Sequence, residues 1–290
     1  MKPAPFNYHT PGSLSDCLSA LAAFGDDCVV LAGGQSLLPL LRFRMAQPEN
    51  VISLREIRKE LAYIRQTEQG IAIGAGITYA AAQRSQTIAS ALPGLLKTIE
   101  LIATPAVRSR GTLCGNLVNA DPASELPALA LLLEANFKLL AASGERIVPA
   151  KDFFLGPYMT DRRSDELLAE IQFPVSPMGE RVAIREVTRL RGGFPMAGIA
   201  VALVDGDAAA TRSARVACFG VNPVQTRAPN AEAELIRLGF GSEGMSAAAT
   251  ALAAEIKPHA DMFASEAYRR AAAQELLKRA ISDALGRPCS

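Results

Sequence analysis

Apolar residues along the first fifty positions recur with two periods, and the switch between them marks alternating helix and strand. Leu14, Leu18 and Leu21 share one face of a helix. Ser13 heads that helix with Asp16 three residues on, the S-x-x-D arrangement that satisfies orphan backbone donors, and Gly25 ends it. Cys28–Ala32 is a short unbroken apolar run, the signature of a buried parallel strand. Gly33-Gly34-Gln35-Ser36 follows, and Leu37–Arg44 reads as a second helix with Pro39 in its tolerant first turn. Val51-Ile52-Ser53-Leu54 is the next strand. The pattern predicts a small βαβ unit with a glycine turn at its strand-to-helix junction.

Beyond residue 60 the order changes. Ala62–Gln66 and Gly70–Gly74 read as paired short strands, followed by a helix from Thr78 and another over Leu95–Ala103. Residues 104–125 read as a loop, Leu126–Glu134 as a helix, and Phe137–Ala142 with Glu145–Pro149 as a strand pair around Ser143-Gly144. Leu167–Phe173 alternates as a strand that Pro174 stops, and Pro177-Met178-Gly179 reads as a linker. Met196–Leu203 and Arg215–Val221 have the length of strands. Three alanine-rich helices close the chain near Ala231–Arg237, Ser246–Ile256 and Ser265–Leu285. The last carries Tyr268, Ala272, Leu276, Ala280 and Ala284 as one expected buried stripe.

Composition narrows the class. The 290 residues are 49% apolar and 20% charged, a globular balance of about two domains that argues against intrinsic disorder. Thirty basic against 29 acidic side chains leave +1, so no bulk attraction to nucleic acid or an anionic membrane is expected. Seven of the basic residues are Lys and 23 are Arg; the skew fits fixed ion pairs or phosphate contacts, and equally a GC-rich genome. The opening MKPAPFNYHTPGS has no apolar core of a signal peptide, and no stretch approaches the roughly 18 apolar residues that span a bilayer. Cys17, Cys28, Cys114, Cys218 and Cys289 are odd in number and far apart, which excludes a sequence-evident metal site or disulfide framework. Only His9 and His259 are present, and there is no Trp. The expectation is a soluble cytoplasmic protein with no metal of its own.

Two segments suggest ligand chemistry. In Leu31-Ala32-Gly33-Gly34-Gln35-Ser36-Leu37, two glycines let the backbone approach a ligand, and successive amides at a helix start form an anion nest. A plain tight turn explains this segment alone equally well, and neither the P-loop nor the Rossmann fingerprint is matched. Gly74-Ala75-Gly76 reads as a structural turn. In the 104–125 loop, Gly111 and Gly115 flank Thr112, Leu113 and Cys114, with Asn116, Asn119, Asp121 and Ser124 beyond. That density suits a second backbone cradle for a pyrophosphate, with a carboxylate nearby for a ribose hydroxyl. Cys114 has no histidine beside it and reads as packing. Arg185, Arg189 and Arg191 precede Gly192-Gly193 and read either as ligand contacts or as a solvated face.

Together the motifs LAGGQSLLPLLRFR, TPAVRSRGTLCGN and ADPASELPA resemble the FAD-binding medium subunit of the molybdenum hydroxylases, the family of xanthine and carbon monoxide dehydrogenases. The resemblance runs from FNYHTPGSLSDCLSALAAFGDD to SEAYRRAAAQELLKRAI, nearly the whole chain. It implies an α+β fold: a two-subdomain FAD-binding domain of the vanillyl-alcohol-oxidase (PCMH) type over 1–176 (about 1–57 and 58–176), then a C-terminal domain over 177–290 with a three-stranded antiparallel sheet and helices. It implies non-covalent FAD, its pyrophosphate wrapped by Leu31–Leu37 and gripped by Gly111, Thr112, Leu113, Cys114, Gly115 and Asn116. Ile102 falls near the flavin, Glu125 at the adenosine end, Leu168 or Ala169 at the ring through the backbone, Arg185 facing the ring and Phe194 flanking it. Cys114 stands where the family commonly has glycine, Glu125 where it has Asp, and Gly193 where many members have Asp.

The function implied is an electron-transfer subunit with no catalytic side chain of its own. A large molybdopterin subunit and a small two-[2Fe-2S] subunit are the implied partners, in a heterotrimer or a dimer of heterotrimers, and FAD passes the electrons to an external acceptor. A self-sufficient FAD-dependent oxidase or reductase is the alternative, and a nucleotide-binding scaffold without redox role a third. The sequence offers no His, Cys or Lys placed as a base for the alternative.

Overall fold

The computed structural model describes residues 2–206 and 208–287; Cys289 lies outside them. The chain begins with a parallel three-stranded sheet of β1 (Asn7–His9), β2 (Cys28–Leu31) and β3 (Asn50–Ser53), ordered β1-β3-β2. Between the first two strands runs α1 (Leu14–Phe24), where Ser13 Oγ accepts from the Asp16 amide at 3.1 Å and Gly25 closes the end. Cys17 and Leu21 are its buried face. The expected second helix is shorter, α2 (Leu37–Arg42), because Arg44 turns left-handed at φ 57° and takes the chain away.

The second sheet is antiparallel, ordered β4-β5-β10-β6-β7. Its strands are β4 (Ile64–Thr67), β5 (Gly70–Gly74), β6 (Asn136–Ala141), β7 (Gly144–Pro149) and β10 (Leu167–Pro174), with a small hairpin of β8 (Phe154–Gly156) and β9 (Met159–Thr160) ahead of β10. Short helices surround it: α3 (Arg58–Leu61), α4 (Tyr79–Gln83), α5 (Gln86–Ala91), α6 (Pro93–Leu101), α7 (Pro105–Arg108), α8 (Leu113–Asn119), α9 (Glu125–Leu132) and α10 (Ala150–Phe153). The 104–125 segment is therefore not a plain loop. Pro105 starts one helix at a position where its missing amide costs nothing, and Thr112 caps the next. Every residue of α9 is buried, and such a helix must be covered all round. It lies between this domain's core and the C-terminal sheet.

That last sheet corrects the expected three strands to four. β11 (Arg181–Val187), β12 (Ala197–Val204) and β13 (Ser213–Phe219) pair antiparallel, and the two-residue β14 (Thr226–Arg227) adds an edge to β13. α11 (Pro229–Leu238), α12 (Ser242–Glu255) and α13 (Glu266–Ala284) cover one face, and α6 and α9 cover the other. Both faces of β12 are buried, which explains its unbroken apolar run. Ile199, Val201 and Leu203 enter the helical core, whereas Ala200 and Ala202 face the first domain. The stripe read on α13 is displaced at its start: Tyr268 is exposed and Arg269 and Ala273 are buried there, whereas Leu276, Ala280 and Ala284 are buried as expected, beside Leu277, Ile281 and Ser282. Pro177–Gly179 is a tight turn between β10 and β11, with the Glu180 amide on the Pro177 carbonyl at 3.0 Å.

Candidate functional site

The two glycine segments meet. A Cβ on Gly33 would stand 2.3 Å from the Arg110 carbonyl oxygen and 2.8 Å from Gly111 Cα, and a Cβ on Gly115 would lie 3.8 Å from that of Ala32. Only glycine at 33 lets one main chain rest on the other. The amides of Gly33, Gly34, Gln35 and Ser36 donate to no acceptor among the described residues, while Gln35 Nε2 folds back to the Gly33 carbonyl at 3.0 Å. Four unspent donors lie beside a second loop, so the paired segments present one concave main-chain surface of positive partial charge.

The second segment is fixed from behind. Thr78 and Thr112 cap α4 and α8 and bridge each other, with the Tyr79 amide on the Gly111 carbonyl at 3.1 Å and the Leu113 amide on the Ile77 carbonyl at 3.2 Å. Thr112 Oγ1 accepts from the Gly115 amide at 3.1 Å. We expect Thr112→Ala to lower stability by about 1 kcal/mol in urea unfolding, the usual cost of a lost cap. Cys114 needs no glycine freedom, since its φ is not positive. Its thiol is buried and burial pushes it far up, so it packs rather than reacts. Asn116 Oδ1 accepts from Ser124 Oγ at 2.9 Å, which ties α8 to the start of α9.

Ile102 is buried beside a left-handed Ala103 at φ 49°. Arg108 Nη1 donates to both of their carbonyls, at 2.9 and 2.8 Å, and its Nε is buried without a partner. Gly192 of the C-terminal domain stacks on the same spot: a Cβ there would be 2.5 Å from the Ala103 carbonyl oxygen. Phe194, two residues further along the chain, is 79% exposed. Arg108→Gln should lower stability by about 2 kcal/mol in urea unfolding, the range for a charge-assisted hydrogen bond, because the left-handed alanine then loses its clamp. Leu168 and Ala169 are buried in β10 at an irregularity of register, and the Ala169 carbonyl is taken by the Ala75 amide at 2.8 Å. The Gly74 and Gly76 pair is structural, pressed against the Leu61 and Arg58 carbonyls of α3.

The side chains of β11 alternate between the two sides of the sheet. Val182 and Ile184 pack on the first domain's core, and Ala183 and Val187 on the helical core, so even-numbered positions face the first domain. Arg185 is on the helical side, paired bidentately with Asp283 of α13, one bond being 2.9 Å to Oδ1. The side chain aimed at the first domain is Glu186, which the sequence reading did not single out. It meets Glu125, only 5% exposed at the start of α9. Burial, joined at Glu125 by the charge of Glu186, raises both carboxyls above the ordinary carboxylate range. The second Glu186 oxygen and the Tyr79 hydroxyl are buried with no partner. Of the other two arginines, Arg189 lies over the Phe263 ring at 5.5 Å and Arg191 is exposed.

The turn before α9 is held from the C-terminal domain. Gln225 Nε2 donates to the Asp121 carbonyl at 2.5 Å, and the Gly220 amide to that of Pro122 at 2.8 Å. A cleft of about 450 Å³ between the β8–β9 hairpin and the 222–227 and 255–257 segments contains none of the predicted site residues. Among the described residues no helix is long and apolar enough to cross a membrane.

The chain and its fold resemble known proteins. Residues 4–176 match the family model of the FAD binding domain in molybdopterin dehydrogenase, and residues 182–284 that of the CO dehydrogenase flavoprotein C-terminal domain. The chain is 35% identical to the carbon monoxide dehydrogenase medium chain of Hydrogenophaga pseudoflava over 99% of both chains. It is 33% identical to the nicotine 6-hydroxylase medium subunit of Paenarthrobacter nicotinovorans, over 98% of this chain and 99% of that one. Among solved structures it is similar to the carbon monoxide dehydrogenase from H. pseudoflava that lacks the Mo-pyranopterin moiety of the molybdenum cofactor, with TM-score 0.94, 37% identity and 100% of both chains covered. Quinoline 2-oxidoreductase from Pseudomonas putida 86 is also similar, with TM-score 0.92, 32% identity and 99% of both chains covered.

Proposed function

The chain belongs to the FAD-binding medium-subunit family of molybdopterin-dependent dehydrogenases, and from that premise we propose that it is the electron-transfer subunit of a molybdenum hydroxylase, with domains at about 1–176 and 177–290. Its partners in this reading are a large molybdopterin subunit and a small two-[2Fe-2S] subunit, in a heterotrimer or a dimer of heterotrimers. FAD, when bound, supplies the exchange between one-electron donors and an external acceptor.

The observation that carries the reading is the contact of Gly33 with Arg110 and Gly111, which makes two distant segments one surface beside four unspent amides. Those donors match a diphosphate, which carries charge but no proton to give. The orphaned Tyr79 hydroxyl and Glu186 oxygen also fit, because a polyhydroxylated group beside Glu125 can give and take the missing hydrogen bonds. In this assignment Leu31–Leu37 and Gly111–Asn116 bind the diphosphate, and Glu125 holds a hydroxyl toward the adenosine end. Ile102, Leu168, Ala169 and Phe194 shield the ring from water. Arg185, which also pairs with Asp283, is the basic residue assigned to the flavin ring.

Purified chain is expected to be yellow, with about one FAD per polypeptide, and to turn over no organic substrate alone. Co-expressed with its molybdopterin and iron–sulfur partners, it is expected to co-purify with them and have its flavin bleached when the complex's substrate is added. A colourless chain that ignores added FAD would overturn the assignment. Turnover by the isolated chain would favour a self-sufficient oxidase or reductase.

A further inference from the structure

We infer that Arg108 is a positioning residue for the flavin ring: it fixes the peptide between Ile102 and Ala103 so that an amide, and not a carbonyl, faces the cofactor. The inference deepens the proposed function and rests on its placement of Ile102 beside the ring. Ile102 at φ −67° and ψ 116°, followed by Ala103 at φ 49°, has the backbone of a type II turn, whose third position ordinarily takes glycine. For alanine the type I turn is the easier course, and the two turns differ by a flip of the central peptide plane. The plane is held in the less favoured sense by its surroundings.

Arg108 holds it from one side. Its Nη1 donates to the Ile102 carbonyl at 2.9 Å and to the Ala103 carbonyl at 2.8 Å. No peptide bond among the described residues is cis, and in a trans peptide the N–H points opposite to the C=O. Two carbonyls turned to Arg108 therefore turn the amides of Ala103 and Thr104 the other way. Neither amide donates to an acceptor among the described residues. Gly192 closes the carbonyl side further, since a Cβ there would stand 2.5 Å from the Ala103 carbonyl oxygen. The turn also sits at a fixed remove from the glycine cradle. A single helix of four residues, α7, joins it to Arg110, on whose carbonyl Gly33 rests, and the Gly111 amide on the Val107 carbonyl at 2.7 Å secures the junction. Four residues of helix rise about 6 Å, a gap that a ribityl chain between diphosphate and ring bridges.

The flavin ring carries carbonyl oxygens and ring nitrogens along its edge and gains negative charge on reduction. An amide fixed against that edge stabilises the reduced form, whereas a flipped peptide would present a carbonyl oxygen and oppose it. Arg108 acts through the turn and touches no cofactor atom.

The test is a reductive titration of the full-length chain with FAD bound, against a reference dye. Arg108→Gln should keep its FAD, because the cradle amides are untouched. At a fixed potential its ratio of reduced to oxidised flavin should fall about tenfold, the worth of one hydrogen bond to a charged group. For a two-electron couple that is a midpoint lower by about 30 mV. Adding Ala103→Gly should return the ratio to within about twofold of the parent, because glycine adopts positive φ without a clamp. A parental ratio in R108Q overturns the inference. So does a loss that A103G leaves unchanged, which assigns the effect to the guanidinium charge. If R108Q does not fold or keep FAD, Ala103→Val decides with Arg108 in place. Branching at Cβ resists positive φ, so a lowered ratio supports the inference and a parental one overturns it. A parent chain that binds no FAD removes the proposed function and the inference together, whereas bound FAD with an unmoved potential removes the inference alone.

Discussion

Replacing Gly33 by valine yields a folded but colourless chain. The new Cβ would sit 2.3 Å from the Arg110 carbonyl oxygen, and the obstacle is main chain that no rotamer change can move aside. Restoring ordinary contact means parting the two segments by roughly 1 Å, in a densely packed region that transmits the shift. Hydrogen bonds to a diphosphate operate within about half that tolerance, so amides set for one anion no longer converge on it. The measurement is the ratio of flavin to protein absorbance after purification, expected to fall at least tenfold, with far-ultraviolet circular dichroism retained. Gly12→Ala is the control, because a Cβ there meets nothing within 4 Å, and it should remain fully yellow. A G33V chain carrying stoichiometric FAD would show that the close approach of the segments is irrelevant to the cofactor.

Arg269→Met is expected to have the largest effect on stability. Arg269 is 3% exposed, donates through Nη1 to the Met196 and Gly220 carbonyls, and through Nη2 to Asp261 at 2.5 Å. It joins α13 to the entry of β12 and the exit of β13. Methionine fills much the same volume but leaves two carbonyls without a donor and Asp261 without its cation. The expected loss is about 2–3 kcal/mol, because two carbonyls beside a buried arginine lose their charged donor, while Asp261 itself is exposed to water. Hydrogen bonds from the Ala264 and Phe263 amides and Arg269 hold the Asp261 carboxyl below its ordinary range. The R269M chain should therefore lose part of the dependence on pH that the parent shows in acid, where stability declines as that carboxyl takes up its proton. Urea unfolding at pH 7 and pH 4 checks both statements.

The sequence was most legible where a single element carries its own signal. The Ser13 cap, the Gly25 stop and the parallel run Cys28–Leu31 needed only local chemistry. β1 and β14, three and two residues long, contain too little chain for a period to emerge. α7 and α8 were hidden for the same reason: four and seven residues, separated by Ser109, Arg110, Gly111 and Thr112, have the composition of a loop. The family resemblance supplied both halves of the cradle, but the backbone contact between Gly33 and Arg110 is long-range and no spacing rule encodes it. The facing of β11 was illegible for a different reason. Both of its faces are covered by protein, so RVAIREV lacks the clean alternation that would tell inward from outward. Arg185 and Glu186 are neighbours, and in a strand one residue exchanges the two sides.

The alanines that β12 turns toward α9 have a mechanical consequence. Along that strand the boundary has a relief one carbon high, and the taller knobs that stop sliding are Val182, Ile184 and Phe219 on the flanking strands. Directional bonds at the perimeter add to the registry, among them Gln225 to Asp121, Gly220 to Pro122, and Arg215 and Arg227 to Glu134. Fasteners spread around a plate resist rotation better than the same bonds gathered at one point, so no single substitution among them frees the joint.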